Sequence, residues 1–486
     1  MFKLASSVFT ISFTSYRHRP RATVPKSRDT VYVLKILLLS SYELGRQPFG
    51  LASPAAWLRK REHSVHCFDL SRQSLDESAL LEAALIVFYL PMHTATRLAL
   101  QWLPVIRAQN PRAHLCACGL YAPLNEPHLR AAGFSTILGP EFEGDLAQLA
   151  DALSSDQNYS QPTGTPDKKI PRLAFEIPDR RGLPPLRKYA HVILPQGTHR
   201  TAGYTEASRG CKHLCRHCPL VPVYSGQFRI VSPEIVLADI RQQVQAGAEH
   251  ITFGDPDFFN GITHALRIVD ALHAEYPTLT YDVTIKVEHL LRHNEALTVL
   301  ARTGCLFITS AVESLDDQVL LKLEKGHTRS DFFRALDLCA NAGLTLQPTF
   351  VPFTPWTTRE SYFDLLETIA SRDLVASVPS IQLAIRLLIP SRSRLLELSE
   401  IATLVGDFDS DKLVYPWHHS DPRTDTLAEH ISRIVAEAEK KRESRSQTFE
   451  QIWETAAELQ QTTHREFRHA ASASRPAPYL SEPWYC

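Results

Sequence analysis

The sequence predicts an α/β protein in which an N-terminal doubly wound parallel sheet precedes a partial (β/α)6 barrel and a helical C-terminal extension. Two series of short apolar runs, each alternating with helix-length segments, occupy residues 31–156 and 196–400, and alternating segments of this kind build parallel sheets. Strand-like runs stop near residue 400. The 486 residues, 44% hydrophobic and 22% charged, suffice for two or three hydrophobic cores in an ordinary globular protein.

The first series follows a basic segment. Residues 1–30 are rich in Ser, Thr and basic residues, and their first acidic residue is Asp29. We interpret this segment as a flexible extension or the result of a start codon assigned too far upstream, with a transit peptide as the alternative.

The five strand candidates of residues 31–156 should form a parallel sheet covered on both faces. They are the runs 33–39, 65–70, 84–90, 114–118 and 135–138.

The second series begins after a predicted linker. Residues 157–195 are rich in Pro, Gly and polar residues, as linkers are. Six strand candidates in residues 196–400 predict an open barrel whose active face lies at the strand C-termini. They are the runs 203–207, 251–253, 281–287, 306–312, 344–350 and 381–389. Residues 401–486 are predicted to be helical over 425–460, with a tail that is mobile unless it docks.

Three of the nine cysteines, Cys211, Cys215 and Cys218, lie in one loop after the first strand of the second series. Their thiolates can converge on an iron–sulfur cluster and leave one iron without a protein ligand, open to a small molecule. A zinc site completed by His213 or His217 is the alternative. The chain has too few cysteines, too unevenly spaced, for a secreted disulfide framework. Five others are predicted to be buried core thiols: Cys67, Cys116, Cys118, Cys305 and Cys339.

The Cys-x3-Cys-x2-Cys spacing at the end of a first barrel strand resembles the radical S-adenosylmethionine (radical SAM) superfamily. The resemblance implies a 4Fe-4S cluster that chelates SAM through its amino and carboxylate groups and cleaves it to a 5′-deoxyadenosyl radical. It also implies an electron donor such as flavodoxin or ferredoxin. The residue before the third cysteine is commonly aromatic in the family, and here it is His217. This is a departure from the family pattern: a flat imidazole can fill the same role against the adenine, but His217 also keeps the zinc alternative open.

The same resemblance implies contacts to SAM at the ends of the barrel strands. Two residues after the second strand would receive the amino group, and four after the third and fourth strands would contact the ribose and the carboxylate. These residues are Gly254, Asp255, Lys286, Glu288, Glu313 and Ser314. An ordinary turn and solvated charges are the alternatives. Lys325-Gly326-His327-Thr328 resembles a segment of the cobalamin-associated subgroup, and Arg386 is an anion contact or an ordinary barrel ion pair.

A five-stranded α/β domain before a radical SAM core resembles the cobalamin-binding domain of many such enzymes. Cobalamin would lie at the C-terminal edge of the sheet. The Asp-x-His-x-x-Gly loop of that family is absent, because residues 41–45 read Ser-Tyr-Glu-Leu-Gly. Two interpretations stay open: cobalamin binds without a protein ligand to cobalt, or the domain serves only packing or substrate contact.

The segment Glu482-Pro483-Trp484-Tyr485-Cys486 resembles the tail of radical SAM proteins and selenoproteins that end in Cys-selenocysteine-Ala-Glu-Pro or Cys-Cys-Ala-Glu-Pro. The resemblance implies that a selenocysteine codon after Cys486 has been read as a stop. Cys486 is then a candidate catalytic residue on a mobile tail, exchanging electrons or accepting a group. An accidental terminal cysteine is the alternative.

Composition narrows the partners. With 52 basic and 53 acidic residues, the formal net charge of −1 gives no electrostatic case for a nucleic-acid partner. No apolar run reaches the length of a membrane span, so we expect a cytoplasmic protein. The hypothesis is a radical SAM enzyme that methylates or rearranges a small-molecule or peptide substrate. A sulfur-inserting or tRNA-modifying radical SAM protein and a zinc-bound binding or scaffold protein are the alternatives.

Overall fold

The computed structural model describes residues 32–155, 157, 159, 173–460 and 477–482. Residues 1–30 and Cys486, each the subject of a prediction above, lie outside these ranges. Among the described residues, no helix combines the length and the apolar character that a bilayer span requires.

The N-terminal unit is a five-stranded parallel sheet with the strand order β2-β1-β3-β4-β5. This confirms the predicted doubly wound sheet, and Leu38 of β1 lies between Cys67 of β2 and Val87 of β3. Its strands are β1 Lys35–Ser40, β2 Ser64–Asp69, β3 Leu85–Tyr89, β4 His114–Cys118 and β5 Thr136–Ile137. Its helices are α1 Phe49–Lys60, α2 Glu77–Glu82, α3 His93–Gln109, α4 Tyr121–Leu124, α5 Glu126–Ala132 and α6 Glu143–Ser154.

Strand β1 shows why the strands of this sheet are nearly continuous apolar runs in the sequence. Ile36 and Leu38 point into one core cluster, whereas Leu37 and Leu39 point into another on the opposite face. Successive strand residues alternate between faces, so a sheet covered on both sides needs apolar residues at every position. The thiols of Cys67, Cys116 and Cys118 are buried as predicted.

The second unit is a seven-stranded curled sheet with the order β13-β12-β11-β10-β7-β6-β14. Five of its strands are parallel, and Ile251 of β10 lies between Gly203 of β7 and Tyr281 of β11. Antiparallel β6 and β14 extend the β7 edge, and β8 and β9 form a separate hairpin. The strands are β6 His191–Ile193, β7 His199–Thr205, β8 Ser208–Gly210, β9 Phe228–Ile230, β10 His250–Phe253, β11 Thr280–Thr284, β12 Cys305–Glu313, β13 Thr345–Phe350 and β14 Tyr479–Leu480.

Helices cover the outer face of this sheet and build the C-terminal extension. Helix α8 starts at Pro233 behind Ser232 and ends before Gly247, which has a φ of +95°. The helices are α7 Val221–Tyr224, α8 Pro233–Gln245, α9 Ile262–Glu275, α10 Val287–Arg292, α11 Ala296–Arg302, α12 Asp317–Lys322, α13 Arg329–Asn341, α14 Arg359–Ser371, α15 Ser399–Leu404, α16 Pro422–Lys441 and α17 Arg445–Gln460. The last two confirm the predicted C-terminal helices, and Trp453 of α17 packs on Phe363 of α14.

The prediction of a strand at residues 381–389 is wrong. A 3₁₀ turn over Ser380–Leu383 occupies its first half, and its second half pairs with the barrel only through an isolated bridge between Phe353 and Arg386. The run is apolar because it is buried, not because it is extended. Pro379 precedes the turn and Pro390 closes the segment, which limits the ladder that could form.

Two short strands, β6 and β14, have no counterpart in the sequence prediction. Strand β14 pairs with β6 in antiparallel register, and the side-chain amide of Gln347 donates to the carbonyl of Pro478. The described part of the tail is therefore docked. The described part of the predicted linker is also packed, because the guanidinium of Arg180 forms a buried ion pair with Asp239 at 2.9 Å.

Candidate functional site

The cysteine loop leaves the barrel through the β8–β9 hairpin. Gly210, directly before Cys211, has a φ of +74°, and a Cβ there would lie 2.5 Å from the carbonyl oxygen of Gln227. Glycine is therefore required for the chain to turn into the loop. The backbone N–H of Arg216 donates to the carbonyl of Leu323, which ties the loop to the end of α12.

The three cysteines of the loop are close enough to influence one another electrostatically and are partly shielded from water. Cys215 is buried, and Cys211 and Cys218 are half-buried. Burial raises the pKa of the Cys218 thiol to about 12, and the sulfurs of Cys215 and Cys211 add to this rise. Thiolates in such a place need a positive partner. The Nζ of Lys286 lies 3.7 Å from the Sγ of Cys215, and a bound metal cluster would supply the rest of the positive charge.

Glu313 ends β12 with a φ of +70°, an unusual conformation for a residue with a side chain. Its carboxylate lies 3.2 Å from the Nζ of Lys325 and 3.1 Å from the Nε2 of His217. Burial alone would raise the pKa of Glu313, but these two groups outweigh it and hold the pKa well below its ordinary value. The carboxylate is therefore ionised at the mouth of the barrel.

His217 has a partner that the sequence did not indicate, because its Nε2 faces the Glu313 carboxylate. Ser314 accepts a hydrogen bond from the backbone N–H of Asp316 and lines a cavity with Glu313, Arg329 and Tyr362. These residues bring the ends of β12 and α12 to the same mouth as the cysteine loop.

Gly254 and Asp255 follow β10 as predicted, but their surroundings suit a structural role. The carboxylate of Asp255 accepts hydrogen bonds from the backbone N–H of Ala207 and the hydroxyl of Ser208. Both oxygens are therefore already used by the start of β8, and burial raises the pKa of Asp255 to about 7. At Gly254 a Cβ would lie 1.8 Å from the hydroxyl of Tyr204, so this glycine makes room for that ring.

The remaining charged candidates lie in ion pairs. Glu288 accepts from Arg292 at 2.7 Å and lies 4.0 Å from Lys286. Arg386 forms an ion pair with Asp425 at 2.7 Å and stacks on the ring of Trp417, which supports the ordinary ion pair over an anion contact.

Comparison with known proteins identifies the domain that carries this loop. Residues 205–366 match the family model of the radical SAM superfamily. The chain carries a radical SAM domain. This confirms the predicted radical SAM domain, a type of domain whose cofactors are a 4Fe-4S cluster and SAM. The zinc-bound scaffold alternative loses its support.

Two curated relatives share part of the chain. The hopanoid C-3 methylase of Methylococcus capsulatus is 23% identical over 335 residues, which cover 66% of this chain and 64% of the relative. A tRNA-2-methylthio-N(6)-dimethylallyladenosine synthase of Desulfosudis oleivorans is 23% identical over 192 residues, covering 37% of this chain and 40% of the relative. The chain thus spans less than two thirds of the length of either relative.

Solved structures share the fold of both units of this chain. The cobalamin-dependent radical SAM enzyme OxsB, with aqua-cobalamin and SAM bound, has a TM-score of 0.66 and 15% identity and covers 83% of this chain and 67% of its own. The methyltransferase TsrM from Kitasatospora setae has a TM-score of 0.61 and 17% identity, with 76% of each chain covered. The doubly wound domain and the partial barrel are therefore arranged as in cobalamin-type radical SAM enzymes.

A cavity lies between the N-terminal sheet and the radical SAM domain. The C-terminal ends of β3 and β4 reach it through Tyr89 and Gly119, and the cysteine loop reaches it through Gly210. Open α/β sheets bind ligands at this edge. The ring of Tyr89 fills the space beside Gly50 and Gly119, since a Cβ on either glycine would meet it.

Buried charges line the same cavity. Arg209 lies 2.7 Å from both Glu143 and Glu206 and 3.9 Å from Glu141. One oxygen each of Glu141 and Glu143 and the Nη1 of Arg209 lack hydrogen-bond partners. The amide side chains of a corrin ring could form hydrogen bonds with these atoms. The residues that line the cavity therefore fit cobalamin if the ring of Tyr89 rotates out of the cavity. Residues 41–45 offer no histidine, and Glu43 accepts from the backbone N–H groups of Phe49 and Gly50.

Two parts of this site were not predicted from the sequence. One is the cluster of Arg209 with its three carboxylates. The sequence did contain a signal for this cluster, because Glu141 and Glu143 follow the last strand of a doubly wound sheet, and ligands bind at the ends of such strands. The other is the meeting of His213, Asp257 and His289. No local signal predicts this second group, since its members come from three separate segments.

His327 makes the unfolding free energy of the protein depend on pH. Burial and the charges of Lys325 and Lys286 lower its pKa from 6.5 to about 4. The unfolded chain therefore binds a proton that the folded chain does not, and stability is lost as the pH falls from about 6.5 towards 4. We expect the wild-type protein to lose about 2 kcal/mol more unfolding free energy than His327→Leu between pH 7 and pH 5.

Urea unfolding at the two pH values measures this difference. The exposed His66 on β2 provides the control, because His66→Asn should keep the pH dependence of the wild type. Equal pH dependence in the wild type and His327→Leu would contradict the assignment.

Proposed function

We propose that this protein is a cobalamin-dependent radical SAM methyltransferase that acts on an unactivated carbon of a small-molecule or peptide substrate. The observation that carries the proposal is the cavity where the ligand-binding edge of the N-terminal sheet faces the cysteine loop. Such a cavity brings a cofactor on one unit within reach of a cofactor on the other. The methylase and methyltransferase relatives support the same reaction class.

The loop residues Cys211, Cys215 and Cys218 would hold the cluster. When bound, the cluster supplies the electron that cleaves SAM, and cobalamin supplies a methyl carrier. Lys286 would balance the negative charge of the Cys215 thiolate, to which it is already close. Flavodoxin or ferredoxin would be the source of the electron.

Glu313 is the best-placed acceptor for the SAM amino group or ribose. Lys325 and His217 keep its carboxylate ionised and fixed in direction, so binding would need little reorganisation. Ser314 adds a hydroxyl beside it, and Glu288 adds a second carboxylate near Lys286. Asp255 has a weaker case, because its oxygens are occupied. Gly254 has a weaker case as well, because the space that its missing side chain leaves is taken by the ring of Tyr204.

We also propose a role for Cys486 near the C-terminal edge of the N-terminal sheet, because the described tail segment before it contacts that edge. The carboxylate of Glu482 pairs with Arg72 beyond β2 and lies where a side chain on Gly45 would be, beyond β1. Both contacts are at the C-terminal edge of the N-terminal sheet. Cys486 follows four residues later, a reach of at most about 14 Å. The tail thiol is therefore a candidate for group or electron exchange there, as in the group with Cys-selenocysteine or Cys-Cys tails.

The test is anaerobic reconstitution with iron, sulfide and cobalamin, followed by SAM and a low-potential reductant. We expect retained cobalamin after desalting and release of 5′-deoxyadenosine, with S-adenosylhomocysteine as the product of methyl donation. A protein that releases neither nucleoside would contradict the proposal. Release of 5′-deoxyadenosine without cobalamin binding or S-adenosylhomocysteine would instead support a rearrangement or the sulfur-inserting alternative.

A further inference from the structure

Three side chains, one in the cysteine loop and two next to it, bring their polar atoms close together. His213 lies in the loop itself, Asp257 follows β10, and His289 lies on α10. The Oδ2 of Asp257 is 2.7 Å from the Nδ1 of His289 and 3.3 Å from the Nε2 of His213. All three atoms lie within 4.8 Å of one another.

These atoms are buried and have no hydrogen bonds of normal geometry. The side chain of Asp257 is 0% exposed, that of His289 6% and that of His213 16%. The Asp257 Oδ2, His289 Nδ1 and His213 Nε2 are all without a hydrogen-bond partner despite their short separations. The three atoms are therefore close together and available to a shared ligand. Leaving three polar atoms unsatisfied in a dry site is costly unless something binds there.

The surrounding groups fit a metal centre. The other oxygen of Asp257 accepts from the backbone N–H of Phe259, which fixes the carboxylate and leaves Oδ2 available. The outer nitrogen of His213, Nδ1, lies 3.6 Å from a carboxylate oxygen of Glu288. Histidine ligands usually face such a carboxylate on the side away from the metal.

We propose that His213, Asp257 and His289 form a mononuclear site for a divalent transition metal, zinc or ferrous iron, separate from the 4Fe-4S cluster. Two imidazole nitrogens and one carboxylate oxygen suit these ions. Three protein ligands leave at least one coordination position for water or a small molecule. The metal joins the cysteine loop to the β10 end and to α10, so it holds the loop against the barrel.

Metal content distinguishes this site from the cluster. The full-length protein with its reconstituted cluster is incubated with Zn²⁺, freed of loose metal by a weak chelator, and analysed by elemental mass spectrometry. We expect one retained zinc per chain beside about four cluster irons. Without added zinc, the same position would retain one extra iron under anaerobic conditions with Fe²⁺.

Variants of the two ligands outside the loop complete the test. Asp257→Asn and His289→Ala should each lose the extra metal while keeping the cluster absorbance and the iron of the cluster. His293→Ala is the matched control, because His293 lies on the turn after α10 with its ring 5.8 Å from that of His289 but outside the group. It should retain the metal. Wild-type protein that holds no extra metal, or the same amount as folded Asp257→Asn, would overturn the proposal.

Discussion

Cys215→Ala is expected to remove the iron of the cluster, about four atoms per chain, and to abolish reductive cleavage of SAM. Cys215 is the most buried of the three loop cysteines, and Lys286 contacts its sulfur. Two remaining thiolates would leave a second iron without a protein ligand, and such a cluster has little to hold it in the loop. Iron and sulfide assays on reconstituted protein, with chromatography of 5′-deoxyadenosine, measure both effects.

Cys339→Ala is the control for this experiment. Cys339 is a buried thiol of α13 in the barrel core, so its removal should change neither iron content nor SAM cleavage. If Cys215→Ala kept its iron and its nucleoside release, the cluster would have to be bound elsewhere and the assignment of the loop would fail.

Among the substitutions proposed for this protein, Arg209→Met is expected to lower the unfolding free energy most. It leaves three buried carboxylates, those of Glu141, Glu143 and Glu206, without their shared cation. Removing one partner of a buried ion pair typically costs about 3–5 kcal/mol, and three carboxylates depend on this arginine. Burial already raises the pKa of Glu141 and of Glu206. Protonation can therefore relieve the variant, so the loss should be smaller at pH 6 than at pH 8.

Urea unfolding followed by circular dichroism at the two pH values measures this loss. Arg241→Met is the matched control, because Arg241 pairs with Glu275 at 2.7 Å on an exposed surface and exposed ion pairs contribute little. Its unfolding free energy should stay close to that of the wild type. Equal effects of the two substitutions would show that the Arg209 cluster does not hold the two units together.

The local patterns of the sequence predicted most of the fold. The strands of the N-terminal sheet were recognisable because residues such as Leu37 and Leu38 face cores on opposite sides. The cysteine loop was recognisable because its ligands are close in sequence. By contrast, β6 and β14 contain three and two residues, which is too short for an alternating pattern to show. The run 381–389 was misread because a buried 3₁₀ turn is as apolar as a strand.

Long-range contacts explain what the sequence could not predict at the site. Lys286 and Glu313 were placed at the correct mouth, since parallel strands end on one side. The sequence did not indicate that Glu313 would face both Lys325 and His217, or that Asp255 would bind back to Ser208. These pairings depend on how the loops fold over the strand ends. The same holds for His213, Asp257 and His289.

The pairing of β14 with β6 has a consequence for association between molecules. Strand β6 is the last strand of the barrel sheet on the β7 side, and without β14 its outer N–H and C=O groups would be open to another chain. The two residues Tyr479 and Leu480 cap that edge. The short β14 segment therefore protects the barrel from edge-to-edge aggregation.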